Sequence, residues 1–361
     1  MNVKKKILFI VPSMRGGGAE RIMSIILNFL DKKKFDPILV LLKKEGPYLE
    51  DLSKDIQVID LKVTQARYSI IKIMRIIKQI KPDIVFSTLG YLNILIAIIR
   101  PFLSKNIVFI ARESNTVSVQ NKQEKYPILF DLLYKIFYNN FDHIVSQSEY
   151  MRKDLIENYN IKRDNIEVIY NSVDIIKIEK LGNKNMPGLY EKDKFNLLAV
   201  GRVDYQKGYD LLIEAMRKLD KKFHLTIVGQ DNEEGKLKHL LESFDLKEKV
   251  TFAGFQSNPY IYMMHADLYI LSSMYEGLPN VVLEANTCGT PVVAFNCPGG
   301  TGEIIENGVN GFLCECGNID ELVEKINKAS PYSFDKNKIK SLIKNKYNAN
   351  RVIKYYERIF S

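Results

Sequence analysis

The chain has 361 residues, 46% of them apolar, which is enough core material for two domains. Its four cysteines, Cys288, Cys297, Cys314 and Cys316, fit neither a C-x-x-C pair nor a paired zinc spacing, so they read as free thiols of a reducing compartment rather than a disulfide scaffold. The net charge of +9 sits in the first half: residues 1–180 hold 29 Lys+Arg against 20 Asp+Glu, and residues 181–361 hold 23 of each. Such asymmetry points to a polyanionic partner, nucleic acid or an acidic membrane surface, or serves solubility alone.

Met-Asn-Val-Lys-Lys-Lys leads straight into a strand at Ile7–Val11. That run is too short for the core of a signal peptide and shows no cleavage pattern, so no export signal is expected. Further strands are expected at Ile38–Leu42, Ile84–Phe86, Ile107–Ile110, Ile144–Val145 and Ile166–Ile169. Helical periodicity separates them over Glu20–Leu30, Ile70–Ile80 and Tyr126–Tyr138. A polar stretch with Gly182, Pro187 and Gly188 follows, and strands resume at Leu197–Val200, Leu225–Val228, Val250–Phe252, Leu268–Leu271 and Pro291–Ala294. Alternation of this kind argues α/β: two doubly wound parallel sheets, each covered on both faces. The expected division is a first domain over 1–176, a linker over 177–194, a second domain over 195–346 and a closing helix over 347–361. That helix presents Val352, Tyr355, Tyr356 and Ile359 on one face. No run approaches the eighteen or so apolar residues of a membrane span. The longest, around Ile94–Ile99, ends at Arg100-Pro101 and reads as a buried helix.

Three loops carry chemistry. Met14-Arg-Gly-Gly-Gly-Ala-Glu-Arg21 follows the first strand, where glycines let backbone amides approach an anion. It is not a dinucleotide fingerprint, because Arg21 stands where the third glycine would be, and it lacks the Gly-Lys-Ser/Thr of a P-loop. Gly201-Arg-Val-Asp-Tyr-Gln-Lys-Gly208 follows the first strand of the second half and projects Arg202 and Lys207 from one glycine-bracketed loop. A planar fork and a compact ammonium suit phosphate oxygens. Glu276-Gly-Leu-Pro-Asn-Val-Val-Leu-Glu284 places two carboxylates on either side of a helix start, with Pro279 and Asn280 at its first turn and cap. Helix-start amides suit a diphosphate, and carboxylates suit sugar hydroxyls.

These strings, with Gly289-Thr-Pro-Val-Val-Ala and Asn171-Ser-Val-Asp174, resemble the retaining glycosyltransferases of family 4, the Glu pair matching their E-x7-E signature. The resemblance implies a GT-B-like fold, two Rossmann-like domains facing a central cleft. It also implies roles. Arg202 and Lys207 bind the donor's diphosphate and offset the charge on the leaving nucleotide. Glu276 contacts the transferred sugar, so Glu276, Arg202 and Lys207 form the catalytic set. Glu284 holds the ribose hydroxyls, and Gly17, Gly18, Gly254, Leu278, Asn280 and Val281 complete the donor site. Gly254 lies in Thr251-Phe-Ala-Gly-Phe255, where family members pass the base through backbone groups. Pro298-Gly-Gly-Thr-Gly-Glu303 is weighted mainly as fold. Where many members carry a histidine, this chain reads Arg112-Glu113-Ser114, and Arg112 or Glu113 is expected to orient the acceptor. His143, His224, His239 and His265 are read as structural.

No Asp-x-Asp occurs, so no metal and no other cofactor is expected. The implied reaction moves a hexose or N-acetylhexosamine from a UDP-linked sugar to a polyprenyl-diphosphate-linked glycan in surface polysaccharide synthesis. Expected partners are the donor, the lipid-linked acceptor and an anionic membrane surface met by the first domain, with no nucleic acid. The expected location is cytoplasmic, peripheral to the inner face of the cell membrane, with attachment released by salt. Two helices are candidates for it: Tyr68–Lys81, with a basic strip of Lys72, Arg75, Lys78 and Lys81, and Tyr126–Phe141, with Lys122, Lys125 and Lys135 nearby. The first also reads as a core-packed helix with a solvated strip. A sugar-nucleotide epimerase of the same fold and a silent glycan- or nucleotide-binding module remain as alternatives. Acceptor-dependent release of nucleotide separates transfer from epimerisation, and donor turnover excludes the silent module.

Overall fold

A computed structural model describes residues 4–361 apart from Asn185, Pro187 and residues 232–234; the Pro187 of the expected linker thus lies outside the described residues. The chain divides into two compact units, Met1–Ser172 with Ala349–Ser361, and Val173–Asn348.

The first unit holds a seven-stranded parallel sheet of β1 (Lys5–Val11), β2 (Phe35–Leu41), β3 (Gln57–Asp60), β4 (Ile84–Thr88), β5 (Val108–Arg112), β6 (His143–Ser146) and β7 (Ile166–Val168). Their order is β3-β2-β1-β4-β5-β6-β7. The central strands are continuous apolar runs because helices cover both faces. One core joins Leu8, Ile10, Val85 and Phe109 to the helices Ile70–Ile80, Gly90–Ile99 and Pro127–Phe137. The other joins Ile7, Phe9 and Phe86 to the helices Gly18–Phe29 and Ala349–Phe360.

The second unit holds β8 (Phe195–Val200), β9 (Phe223–Val228), β10 (Val250–Gly254), β11 (Leu268–Leu271), β12 (Val292–Asn296) and β13 (Gly311–Glu315). All pair in parallel, in the order β10-β9-β8-β11-β12-β13. Each sheet reverses its winding once, between β1 and β4 and between β8 and β11. In open α/β sheets such a switch point, at the carboxyl ends of the strands, is where ligands bind. The loop after β1 carries the three glycines. The loops after β8 and β11 carry Arg202, Lys207 and Glu276.

The structure departs from the sequence reading in its missed edge strands, its linker and the buried face of its closing helix. β3 and β13 were not expected; each is an edge strand, and β3 has no fully buried residue. The expected linker begins inside a helix, Ile175–Gly182, which Asp174 caps by accepting from the Lys177 amide. Its Ile178 is buried, so these residues fold with the second unit. The closing helix runs over Ala349–Phe360, within two residues of the expected start, and belongs to the first unit. Its buried face is Val352, Ile353, Tyr356 and Phe360, while Tyr355 is exposed. Phe360 packs edge-on against Phe9, Phe35 and Phe86 with centroids 5.8–6.1 Å apart. Burying one such ring contributes roughly 1.5–3 kcal/mol.

Candidate functional site

Three loops of the second unit interlock at the β8/β11 switch point. After β8 the chain makes a single 3-10 turn, Tyr205–Lys207, capped by the Asp204 carboxylate on the Lys207 amide. Gly208 then takes a left-handed conformation, with φ 58°, and starts the helix Tyr209–Lys218. A Cβ at Gly208 would lie 2.3 Å from the Ser272 carbonyl oxygen, so the position demands glycine twice over. The loop after β11 is tied to this turn at three points. Ser272 Oγ donates to the Lys207 carbonyl at 2.8 Å, the Met274 amide donates to the Gln206 carbonyl at 2.8 Å, and Gln206 Nε2 donates to the Tyr275 carbonyl at 3.0 Å.

The third loop follows β12. The Glu276 amide donates to the Pro298 carbonyl at 2.9 Å, and the Gly300 amide donates to the Gly277 carbonyl at 2.6 Å. At Gly299, with φ 132°, a Cβ would lie 2.1 Å from the Glu276 carbonyl oxygen. Pro298-Gly-Gly therefore clamps the backbone of Glu276. Read in the sequence mainly as fold, it is part of what positions the site.

This scaffold brings Lys207 and Glu276 together. Lys207 Nζ donates to Glu276 Oε1 at 2.7 Å, with the two side chains only 15% and 9% exposed. Screening is weak there, so the ammonium and carboxylate hold each other firmly. Arg202 is different: its guanidinium faces solvent and lies 3.5 Å from the Asp204 carboxylate. An exposed pair of that kind contributes about 0–1 kcal/mol and yields readily to a stronger anion. Burial pushes the Cys297 thiol up to about 12, reinforced by the nearby Glu276 charge, so it is a neutral neighbour of the pair.

The helix Asn280–Thr287 starts directly behind this loop. Pro279, not Asn280, is its N-cap residue, and it offers no capping side chain. Asn280 and Val281 are half-buried, whereas the Leu278 side chain is buried in the unit. Glu284 lies one turn into the helix and is buried. Gly254 ends β10 with φ 68°, and its amide neighbour across the sheet, Gly229, donates to its carbonyl at 2.9 Å.

Gly17, Gly18, Arg112 and Glu113 belong to the first unit. Gly17 is the N-cap of the helix Gly18–Phe29, and its missing side chain leaves room for the Glu20 carboxylate. Arg112 and Glu113, expected to orient an acceptor, are both buried. Arg112 donates through Nε to the Tyr356 hydroxyl at 3.2 Å and through Nη2 to Asn171 Oδ1 at 2.6 Å. Glu113 Oε1 accepts from Asn93 Nδ2 at 3.0 Å, and both its oxygens accept from the Tyr134 hydroxyl at 3.4 Å. Desolvation raises the Glu113 carboxyl to about 7, against the opposing pull of Asn93, Tyr134 and Arg112. In this structure both side chains bond to the protein itself: they fix the end of β5 and tie the last helix to it. Asn93 was not singled out in the sequence, and Tyr134, Asn171 and Tyr356 were read there as parts of helices or of a family-like string, not as partners of this pair, because single Asn and Tyr residues carry no signal of what they bond to.

Among the described residues, no three His, Cys, Asp or Glu side chains group as a cation site, and no helix is long and apolar enough to cross a membrane.

Two family models match the sequence, glycosyltransferase family 4 over residues 16–177 and glycosyl transferases group 1 over residues 183–355. Across 351 residues, 95% of this chain and 93% of the relative, it is 28% identical to the N-acetylgalactosamine-N,N'-diacetylbacillosaminyl-diphospho-undecaprenol 4-alpha-N-acetylgalactosaminyltransferase of Campylobacter jejuni. Among solved structures it is similar to a glycosyltransferase from Rickettsia africae, with TM-score 0.80, 22% identity and coverage of 99% and 98% of the two chains. It is likewise similar to Anabaena Alr3699/HepE in complex with UDP and glucose, with TM-score 0.82, 20% identity and 99% of each chain covered. At these identities the two structures speak to the fold.

Proposed function

Because the chain belongs to the GT-B glycosyltransferases of family 4, we propose that it transfers a hexose or N-acetylhexosamine, with retention, from a UDP-linked donor to a glycan carried on polyprenyl diphosphate. The observation that carries the donor half is the Lys207–Glu276 pair, held at 2.7 Å by three interlocked loops at a switch point. Lys207 and the solvent-facing Arg202 take the diphosphate, aided by the amides that open the helix Asn280–Thr287. Glu276 turns to hydroxyls of the transferred sugar, and Glu284 to those of the ribose. Backbone groups around Gly254, Leu278, Asn280 and Val281 line the nucleotide.

In this reading the bond between the anomeric carbon and the diphosphate oxygen breaks as an acceptor hydroxyl attacks from the same face. The acceptor proton leaves with the nucleotide. Negative charge grows on the diphosphate, and the Arg202 and Lys207 cations offset it. The leaving group needs no strong acid, so Glu276 and Glu284 are not a glycosidase pair. The countercharge comes from Arg202 and Lys207, and no divalent ion is required. In the first unit the backbone amides of Gly17 and Gly18, at the start of the helix after β1, face the donor, and the Arg112–Glu113 network holds the neighbouring strand end.

The acceptor half is supported by the name of the Campylobacter jejuni relative, whose acceptor is a diphospho-undecaprenol-linked sugar. A lipid-carried acceptor places the reaction at the inner face of the membrane, in the assembly of a surface polysaccharide. Incubation with bacterial lipid extract and a panel of sugar nucleotides, followed by mass spectrometry, tests both halves. One added hexose or N-acetylhexosamine on a lipid-linked species, with UDP released, is the expected result. Interconversion of the donor without transfer would make the protein an epimerase. Failure of every donor to react would make it a binding module.

A further inference from the structure

The helix Pro127–Phe137 has two apolar faces, and only one of them is packed. Inward, Tyr134 is buried against Tyr138 and Tyr159, with ring centroids 4.3 and 5.2 Å away, and its hydroxyl reaches Glu113 at the end of β5. Outward, Ile128 is 84% exposed, Leu129 and Leu132 are each 50% exposed, and Ile136 is 55% exposed. Residues 128, 132 and 136 follow one another at single-turn spacing, and 129 lies beside them. Exposed apolar residues are ordinary when scattered. Four on one helix face mark a surface that something covers.

The basic helix Ile70–Ile80 offers no such face. Ile73 and Ile77 are buried, and Ile70, Met74, Ile76 and Ile80 pack against the same core. Only Ile71 stands clear among its apolar residues. Of the two sequence candidates, this one is core-packed with a solvated strip.

Charge identifies what covers the helix Pro127–Phe137. Lys135 on the helix and Lys122 and Lys125 in the segment leading into it are exposed, and Lys125 lies 5.5 Å over the ring of the exposed Tyr126. Of the local acids, Glu124 is half-buried, and Asp131 turns inward to accept from the Tyr159 hydroxyl at 2.6 Å. The whole first unit carries 30 Lys+Arg against 19 Asp+Glu. A second copy would bring like charge against like charge, whereas an anionic leaflet complements both the lysines and the apolar stripe.

We propose that Ile128, Leu129, Leu132 and Ile136 insert into the interfacial layer of an anionic bilayer, with Lys122, Lys125 and Lys135 at headgroup level. The inner face of the same helix is bonded to Glu113, so docking fixes the carboxyl end of β5 relative to the membrane surface. This inference stands on the surface of the first unit and does not depend on which donor the second unit takes. It also alters the expected salt response. Screening removes the lysine attraction but not the apolar insertion, so part of the binding survives high salt.

The chain has no tryptophan, so Leu132→Trp creates a single reporter, and Ile71→Trp a matched control on the basic helix. Vesicles of equal parts phosphatidylglycerol and phosphatidylcholine should shift the Leu132→Trp emission to the blue and leave that of Ile71→Trp in place. The combined Ile128→Ser, Leu132→Ser and Ile136→Ser variant should lose about 100-fold in vesicle partitioning. Its UDP affinity and circular dichroism should stay unchanged, because the three side chains face solvent. No shift in the Leu132→Trp protein on anionic vesicles, an equal shift in the Ile71→Trp protein, or equal binding to pure phosphatidylcholine overturns the proposal. A blue shift without vesicles that grows with protein concentration would make a second copy the occupant and likewise overturn it.

Discussion

Replacing Glu276 by glutamine should tighten UDP binding while slowing transfer. In the donor-free protein the Lys207 ammonium already has a full counter-charge, the Glu276 carboxylate at 2.7 Å. An incoming diphosphate must compete for that ammonium and must also approach the carboxylate. Glutamine keeps an oxygen for Lys207 to donate to and keeps the backbone clasp to Pro298, but removes the charge. A hydrogen bond between two ions contributes more than one between an ion and a neutral group, by about 1–2 kcal/mol. The dissociation constant for UDP should therefore fall roughly 5- to 30-fold. Turnover should fall on the order of 10²-fold, because the carboxylate contact to the transferred sugar is lost. Calorimetric titration with UDP measures the first quantity, and initial rates with the donor measure the second. In a Lys207→Met background the tightening should shrink, since the contested cation is gone. Unchanged or weaker UDP binding in Glu276→Gln would refute the competition and with it the placing of the diphosphate at Lys207.

Lys207→Ala and Arg202→Ala should each lower turnover by roughly 10²–10³, about 3–4 kcal/mol, with the fold retained by circular dichroism; near-native rates in both would remove the diphosphate from this loop. Glu284→Ala should weaken UDP binding more than it slows the chemistry, and an equal loss of UDP affinity in Glu276→Ala would merge the two roles. Turnover should persist in excess EDTA, because the cations on the loop after β8 supply the countercharge. Abolition by EDTA with rescue by magnesium or manganese would contradict this.

Legibility in the sequence follows burial and spacing. Strands buried on both faces announce themselves as unbroken apolar runs, which is why Ile7–Val11 and Leu268–Leu271 could be placed to within a residue or two. Gln57–Asp60 has two apolar residues and no buried one, and Gly311–Glu315 holds only three apolar residues between a glycine and a glutamate, so neither run stood out. The Lys207–Glu276 encounter joins residues 69 positions apart, yet both halves were readable because each loop follows a strand and carries glycine at its bends. The Pro298-Gly-Gly clamp works through backbone atoms, so its side chains gave no hint of what it holds. Periodicity found the amphipathic helices but not which apolar face was packed. Ile70–Ile80 and Pro127–Phe137 look alike in that respect, and only exposure separates them.

The Arg112–Glu113 pair shows the same limit and yields a test of its own. As a string it resembles an acceptor-facing motif; in the fold it is enclosed, and burial raises the Glu113 carboxyl from its ordinary 4.5 to about 7. Folded and unfolded chains then differ in bound protons only between these two values. At pH 6 the folded carboxyl holds its proton and the unfolded one has lost it, so stability falls as pH rises through this window. The contribution is complete below 4.5, is lost by about 7, and amounts to about 3 kcal/mol. Glu113→Gln has no proton to lose and keeps an oxygen for Asn93 and Tyr134. Other carboxylates titrate in the same range, so the difference between the two proteins isolates this one. Urea unfolding followed by circular dichroism at steps from pH 4.5 to 7.5 should show wild type losing about 3 kcal/mol relative to the variant. Parallel curves would mean that the carboxyl is hydrated in solution, and that the end of β5 is open enough for Glu113 to meet an acceptor after all.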